Sequence, residues 1–216
     1  MREATCVILA AGRGARMGGE KLARRFREGT ILDAVIDACA GFPAVVIASR
    51  SATAAVLRLR DASHGSAAAL RLRDASHRSA QGDIEVVVND EPERGMAHSL
   101  RLADQAISSD RAIAVLLGDK PLVTAELVRT LIAVDDADVV FPERNGVPGH
   151  PVVFSPKARA LIAGLPDGDT LQRLRDDPSV TRHAVPVADD GAYADVDTEE
   201  DYHRLIDRAG PPTSLR

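Results

Sequence analysis

Thirteen residues near the N-terminus, Leu9-Ala10-Ala11-Gly12-Arg13-Gly14-Ala15-Arg16-Met17-Gly18-Gly19-Glu20-Lys21, concentrate the features of a phosphate site. Glycines there let the backbone take positive φ and approach a ligand closely, so that N–H groups can cradle phosphates. Arg13, Arg16 and Lys21 add cations to the same stretch. Two better-known phosphate motifs fail. The dinucleotide fingerprint would need glycine where Met17 stands, and a Walker A loop needs lysine directly after its last glycine, where this chain has Glu20. A second candidate is Asp119, in Gly118-Asp119-Lys120-Pro121 at the end of the apolar run Ile113–Leu117. That is the C-terminal end of a predicted strand, where open α/β sheets bind ligands. A carboxylate there is a hard oxygen donor suited to Mg²⁺.

The elements that must position these residues follow from hydrophobic periodicity. Short β-branched runs alternate with helical patterns, the signature of a mostly parallel sheet covered by helices. Thr5–Leu9, Ala44–Ala48, Ile84–Val88, Ile113–Leu117 and Val139–Phe141 read as strands, with shorter ones at Pro151–Phe154 and Val185–Val187. Ile31 to Cys39 keeps helical spacing, with Thr30 as cap and Gly41 as stop; Met96–Ile107 reads as an amphipathic helix and Thr124–Val134 as a helix capped by Thr124. Pro156–Ala163 and Thr170–Asp176 read as short helices. Thr198–Arg208 is a helix with Thr198 as N-cap and Asp201 at the capping-box position. The expected fold is a single-domain, Rossmann-like three-layer α/β/α arrangement over residues 1–210, followed by a disordered tail at 211–216.

One segment departs from this rhythm. Leu57 to His64 recurs letter for letter as Leu70 to His77. Two copies do not make a solenoid, so the expectation is a tandem duplication within 53–80, tolerated in a surface helix or loop because lengthening a loop costs little.

Bulk properties exclude several function classes. The 216 residues suffice for one sizeable core. A formal charge of −5 argues against a general nucleic-acid surface, and 3% aromatics with no Trp against stacking on single strands. No apolar run approaches a membrane span or a signal peptide, so a cytoplasmic chain is expected. Cys6 and Cys39 are too few for a disulfide framework and read as core residues. Three of the 27 basic residues are lysines, and two of them, Lys21 and Lys120, fall within the segments above.

With these residues in view, the N-terminal segment resembles the LAAGxSxRMGxxK signature of the MobA-like nucleotidyltransferases, in particular the molybdenum cofactor cytidylyltransferases. Val115 to Val123 is similar to that family's LLGDQPLV, Arg144 to Phe154 to its GxxGHPVLF segment, and Asp195 to Asp201 to DIDTPED. The resemblance implies transfer of a nucleoside monophosphate from an NTP, with release of pyrophosphate. In the resemblance Asp119 and Asp197 converge on Mg²⁺, with Asp195 as second choice to Asp197. Lys21, assisted by Arg16, neutralises the triphosphate. The first loop (Leu9, Ala10, Ala11, Gly12, Gly14) reads the base through its backbone, and Asn89, Gly95 and Ser99 fall at a second nucleotide-contacting segment. The Ala-Ala-Gly spelling resembles the CTP-using members.

On the acceptor side the resemblance points to molybdopterin, with His150 placed to orient the acceptor phosphate or move a proton. Lys120 stands where the family usually has Gln, adding a cation beside Asp119 and, with His150, a candidate contact to the acceptor. Gly168-Asp169-Thr170-Leu171-Gln172-Arg173 departs from the family's Gly-Asp-x-Gly-Ala-Arg stretch, which leaves acceptor identity open. The alternatives are another acceptor (methylerythritol phosphate or a sugar phosphate), GTP in place of CTP, and a non-catalytic nucleotide-binding delivery protein. Expected partners are the NTP, a phosphorylated small molecule and a client molybdoenzyme or its chaperone, for a monomer or weak dimer that binds neither nucleic acid nor membrane.

Overall fold

A computed structural model describes residues 2–12, 21–50, 52–53, 70–72, 84–188 and 190–209. Among these, the strands are β1 Ala4–Ala10, β2 Arg25–Phe26, β3 Gly29–Thr30, β4 Ala44–Ser49, β5 Leu70–Leu72, β6 Ile84–Asn89, β7 Ala112–Leu117, β8 Val139–Arg144, β9 Val147–Pro148, β10 Val152–Phe154 and β11 Arg182–Pro186. The α-helices are α1 Ile31–Asp37, α2 Met96–Ala106, α3 Ala125–Ala133, α4 Pro156–Arg159, α5 Leu171–Arg175 and α6 Glu199–Ala209. The main sheet runs β11-β8-β10-β7-β1-β4-β6-β5, with β9 paired to β8; β2 and β3 form a separate hairpin. β10 is antiparallel to both of its neighbours, whereas β7, β1, β4, β6 and β5 are all parallel.

The three layers follow from two-residue alternation on strands buried on both faces. In β1, Cys6, Ile8 and Ala10 join one core with α1 and α3, whereas Val7 joins the other with α2, α4 and α5. β7 divides likewise, Ala112, Ala114 and Leu116 against Ile113 and Val115. Helix starts follow local chemistry. Thr30 Oγ1 accepts from Asp33 N while the Asp33 carboxylate accepts from Thr30 N, a reciprocal capping box. Thr124 caps α3 by accepting from Leu127 N. Both cysteines are buried and free. No helix among the described residues is long and apolar enough to cross a membrane.

The predicted elements are present, with ends shifted by a few residues, and one α/β sheet integrates them. Three pieces differ from expectation. The hairpin β2–β3 was not foreseen, since two residues per strand carry no periodicity. Pro156–Ala163 splits into α4 and a 3₁₀ turn at Ile162–Gly164. Within the duplicated segment, Leu70–Leu72 of the second copy is an edge strand parallel to β6, not helix or loop. The rest of that segment (54–69 and 73–80) and the expected 211–216 tail lie outside the described residues.

The strand order places a switch point at the centre. From β1 the chain proceeds outward through β4 to β6, then returns to lay β7 on the other side of β1. The C-terminal ends of β1 and β7 therefore border a crevice, the position at which open sheets bind ligands.

Candidate active site

At that crevice the turn after β7 is pressed onto the exit of β1. Gly118 N donates to the Leu9 carbonyl at 3.0 Å, and a Cβ on Gly118 would lie 3.1 Å from that same oxygen and 3.3 Å from Leu22 Cδ1. Only glycine fits without displacing backbone. The turn thereby presents Asp119 beside β1, where Ala10 and Ala11 turn their side chains into the core. What the Leu9-Ala10-Ala11-Gly12 exit offers a ligand is consequently main chain.

Two further segments bring charge to Asp119. Lys21 begins a short 3₁₀ turn leading into the β2–β3 hairpin. Its ammonium lies 3.0 Å from Asp119 Oδ2 and 3.0 Å from Asp197 Oδ1, so one cation is shared by two carboxylates far apart in sequence. Val196 N donates to the Asp119 carbonyl at 3.0 Å, locking the strand-like approach to Asp197 against the turn. Asp201 Oδ2 accepts from the backbone N–H groups of Asp197 (3.2 Å) and Thr198 (2.9 Å), so the capping box foreseen at Thr198 also orients Asp197. Behind these contacts a small satellite core of Phe26, Ile31, Val196 and Leu205 joins the hairpin, α1 and α6. Tyr202 Oη donates to the Arg25 carbonyl and carries Arg24 over its ring. That core explains why residues 21 and 197 meet.

Burial by itself would lower the Lys21 pKa, but Asp119 and Asp197 more than offset it, and the ammonium is held above its ordinary value. The Lys21 side chain is 12% exposed, against 27% for Asp119 and 47% for Asp197, so the pair is open enough to exchange partners. Two carboxylates focused on one cation are a hard-oxygen donor set of the kind that Mg²⁺ takes with phosphate and water completing its shell. Asp195, by contrast, approaches Lys120, with Oδ2 at 3.7 Å from its ammonium.

The remaining residues singled out in the sequence divide. Gly14 and Arg16 lie outside the described residues. Gly95 takes φ +84° and opens α2, and a Cβ there would meet Gly168 Cα at 3.3 Å. Asn89 and Ser99 are buried and bonded to each other, Nδ2 to Oγ at 2.9 Å, while Asn89 Oδ1 accepts from Glu91 N. Their polar atoms brace the β6–α2 turn. Lys120 is 6% exposed and donates to the Tyr193 carbonyl at 2.9 Å. His150 borders a cavity of about 210 Å³ whose lining includes Met96, Val152, Thr170, Leu171, Gln172 and Arg175. Burial, reinforced by the nearby Lys120 charge, lowers the His150 pKa to about 4. Its Nδ1 is buried without a hydrogen-bond partner among the described residues.

Two contributors escaped the sequence. Asp201 was visible only as a helix cap, although its spacing from Asp197 already allowed the second role. Asp167, which pairs with Arg94 at 2.9 Å and also with Arg101, ties the loop before α5 to the turn before α2, and Gly168 N donates to the Arg94 carbonyl. No sequence pattern signals that pairing.

The family described as the MobA-like NTP transferase domain matches residues 6–183. The chain is 24% identical, over 91% of its length and 92% of the relative's, to a molybdenum cofactor cytidylyltransferase of Escherichia coli (strain K12). Its fold is similar to the crystal structure of Rv0371c from Mycobacterium tuberculosis H37Rv, with TM-score 0.71 and 28% identity over 95% of this chain and 98% of that one. A manganese complex of Rv0371C is similar at TM-score 0.69 and 26% identity, over 95% and 98% of the two chains.

Proposed function

The chain belongs to the MobA-like NTP transferase family and is a nucleotidyltransferase; on that premise we propose that it moves CMP from CTP onto the phosphate of molybdopterin or molybdenum cofactor, with Mg²⁺. The observation that carries the reading is the convergence of Asp119 and Asp197 on the Lys21 ammonium at the sheet's switch point.

In this reading an acceptor phosphate oxygen forms a bond to the α-phosphorus of CTP while the bond from that phosphorus to the pyrophosphate oxygen breaks. Such reactions are catalysed by positioning and electrostatic stabilisation. Asp119 and Asp197 would hold Mg²⁺, which when bound supplies charge neutralisation on the phosphoryl oxygens. Lys21, held protonated by the same carboxylates, brings a permanent positive charge to the triphosphate. The β1 exit and the glycine-rich turn after it would meet the nucleotide with main-chain groups, Arg16 assisting at the phosphates. Gly95, at the start of α2, would face the same nucleotide, with Asn89 and Ser99 setting the shape of its turn. His150 and the cavity beside it would receive the acceptor, with a neutral imidazole available as a hydrogen-bonding group. The Mn²⁺-containing relative supports a divalent-metal site in this family, and the cytidylyltransferase relative supports the choice of CTP.

Pyrophosphate release with molybdenum cofactor as acceptor, measured with CTP, GTP and ATP at fixed Mg²⁺, tests the reading. CTP is expected to lead and to yield the cytosine dinucleotide. A GTP or ATP preference would overturn the base assignment. Turnover with methylerythritol phosphate or a sugar phosphate, but not with molybdenum cofactor, would overturn the acceptor.

A further inference from the structure

The turn that presents Asp119 carries a second, deeply placed ammonium. Taking an ammonium out of water costs several kcal/mol unless its new partners compensate, and Lys120 spends its charge on main chain, donating to the Tyr193 carbonyl at 2.9 Å with Asp195 Oδ2 at 3.7 Å. The carbonyl it grips belongs to a well-anchored residue. Tyr193 N donates to the Asp190 carbonyl, Tyr193 Oη to the Val147 carbonyl, and Arg144 lies 4.4 Å from the ring centroid. Three residues further on, Val196 N is held by the Asp119 carbonyl, and Asp197 follows at once. The segment that delivers Asp197 is therefore clamped at two points, both supplied by consecutive residues of the turn after β7. One clamp is the carbonyl of Asp119 and the other is the side chain of Lys120.

We propose that Lys120 is a positioning residue, whose hold on the Tyr193 carbonyl sets where the Asp197 carboxylate stands relative to that of Asp119 and hence how tightly the pair takes a divalent cation. This assigns Lys120 a different role from the acceptor contact expected from sequence. The Tyr193 carbonyl takes one of the three donors of an ammonium that is almost wholly covered, so the contact the structure gives it is to main chain. The inference rests on the reading of Asp119 and Asp197 as the metal pair.

The test uses the full chain and Mn²⁺, titrated in the presence of CTP and followed by the loss of the free-ion electron paramagnetic resonance signal. Lys120→Met removes every donor and is expected to weaken Mn²⁺ binding about 10- to 100-fold, the usual cost of losing support behind a metal-ligating carboxylate. Lys120→Gln keeps an N–H donor without the charge and is expected to stay within about threefold of the parent protein. In both variants KM for the acceptor should be unchanged while the Mg²⁺ concentration for half-maximal rate follows the Mn²⁺ affinity. Parent-like Mn²⁺ binding by Lys120→Met overturns the inference. So does a rise in acceptor KM with metal affinity intact, which would mark Lys120 as an acceptor contact. Circular dichroism melting accompanies each titration, and if Lys120→Met does not fold, the acceptor KM of Lys120→Gln decides between the same two outcomes. Absence of Mn²⁺ binding by the parent protein would instead overturn the metal pair itself, and this inference with it.

Discussion

Asp119 is approached from two sides by lysines, and the two sides use the same side chain for opposite ends. Lys21 comes from the segment after β1 and places its ammonium between two carboxylates; Lys120 comes from the Asp119 turn itself and places its ammonium on a carbonyl. Both are largely covered, at 12% and 7% side-chain exposure. The difference lies in the partners. A carboxylate pair can exchange its ammonium for a harder cation and release it toward incoming phosphates, since all three groups are charged and partly open to solvent. The Tyr193 carbonyl is neutral and partly covered, and the Asp195 carboxylate stands farther off at 3.7 Å, so breaking the Lys120 contact costs a hydrogen bond and frees no charged pair. The comparison teaches that charge type and position along the chain do not separate a reacting group from a supporting one. What separates them is whether the partner can be exchanged.

Disruption of the Lys21 side should have the larger consequences. Asp119→Ala removes one of the two carboxylates and is expected to lower pyrophosphate release about a thousandfold, read as initial rate at saturating CTP and Mg²⁺; a loss below tenfold would break the comparison at its base. Lys21→Met should cost about a hundredfold in kcat/KM, with the fold intact by circular dichroism. Asp201→Ala tests the support of Asp197 from the helix side. Removal of the acceptor for the Asp197 and Thr198 N–H groups should cost about 1 kcal/mol of stability, read as a lower denaturation midpoint.

The mildest expected readout is the titration of His150, and it sharpens the Lys120 side. Burial first, and then the neighbouring Lys120 charge, holds its pKa near 4, so its NMR titration should show no inflection near 6.5 in the parent protein and should move upward in Lys120→Gln. The native state carries this imidazole neutral while the unfolded chain protonates it at about 6.5. Its contribution to stability is therefore complete above that pH and is lost as pH falls toward 4. Urea midpoints measured across that interval check the sign.

Much of this was legible in the sequence, because the signals were local. Continuous apolar runs in Cys6 to Ala10 and Ala112 to Leu117 announce strands buried on both faces, and Thr30 and Thr124 announce helix starts. Asp119 could be singled out because a strand end in an α/β sheet is a place of known chemistry. The approach of Lys21 to Asp197 could be expected only through a family resemblance, since it depends on the satellite core around Phe26 and Val196, whose members are scattered along the chain. Asn89 and Ser99 show a different limit. Both are expected as nucleotide contacts, and the structure also bonds them to each other, a pairing that a spacing of ten residues cannot reveal. The Tyr193 partner of Lys120 was illegible for a related reason. Adjacency to Asp119 fixes where its backbone lies, and only the return of the 190–197 segment determines what its ammonium meets. Leu70–Leu72 was too short a run to announce a strand.

The clamp on Val196 also carries a consequence for biosynthesis. A nascent chain halted just after β11 has every strand of the described sheet and most of both cores behind it, yet lacks Ala192, Asp197 and the segment that carries them. On the proposed reading of Asp119 and Asp197 as the metal pair, competence for metal would arrive at the end of translation, after most of the scaffold. A truncated product would be expected to persist as a folded but inert protein, a fate that binding assays on ribosome-released fragments would reveal and that melting curves alone would miss.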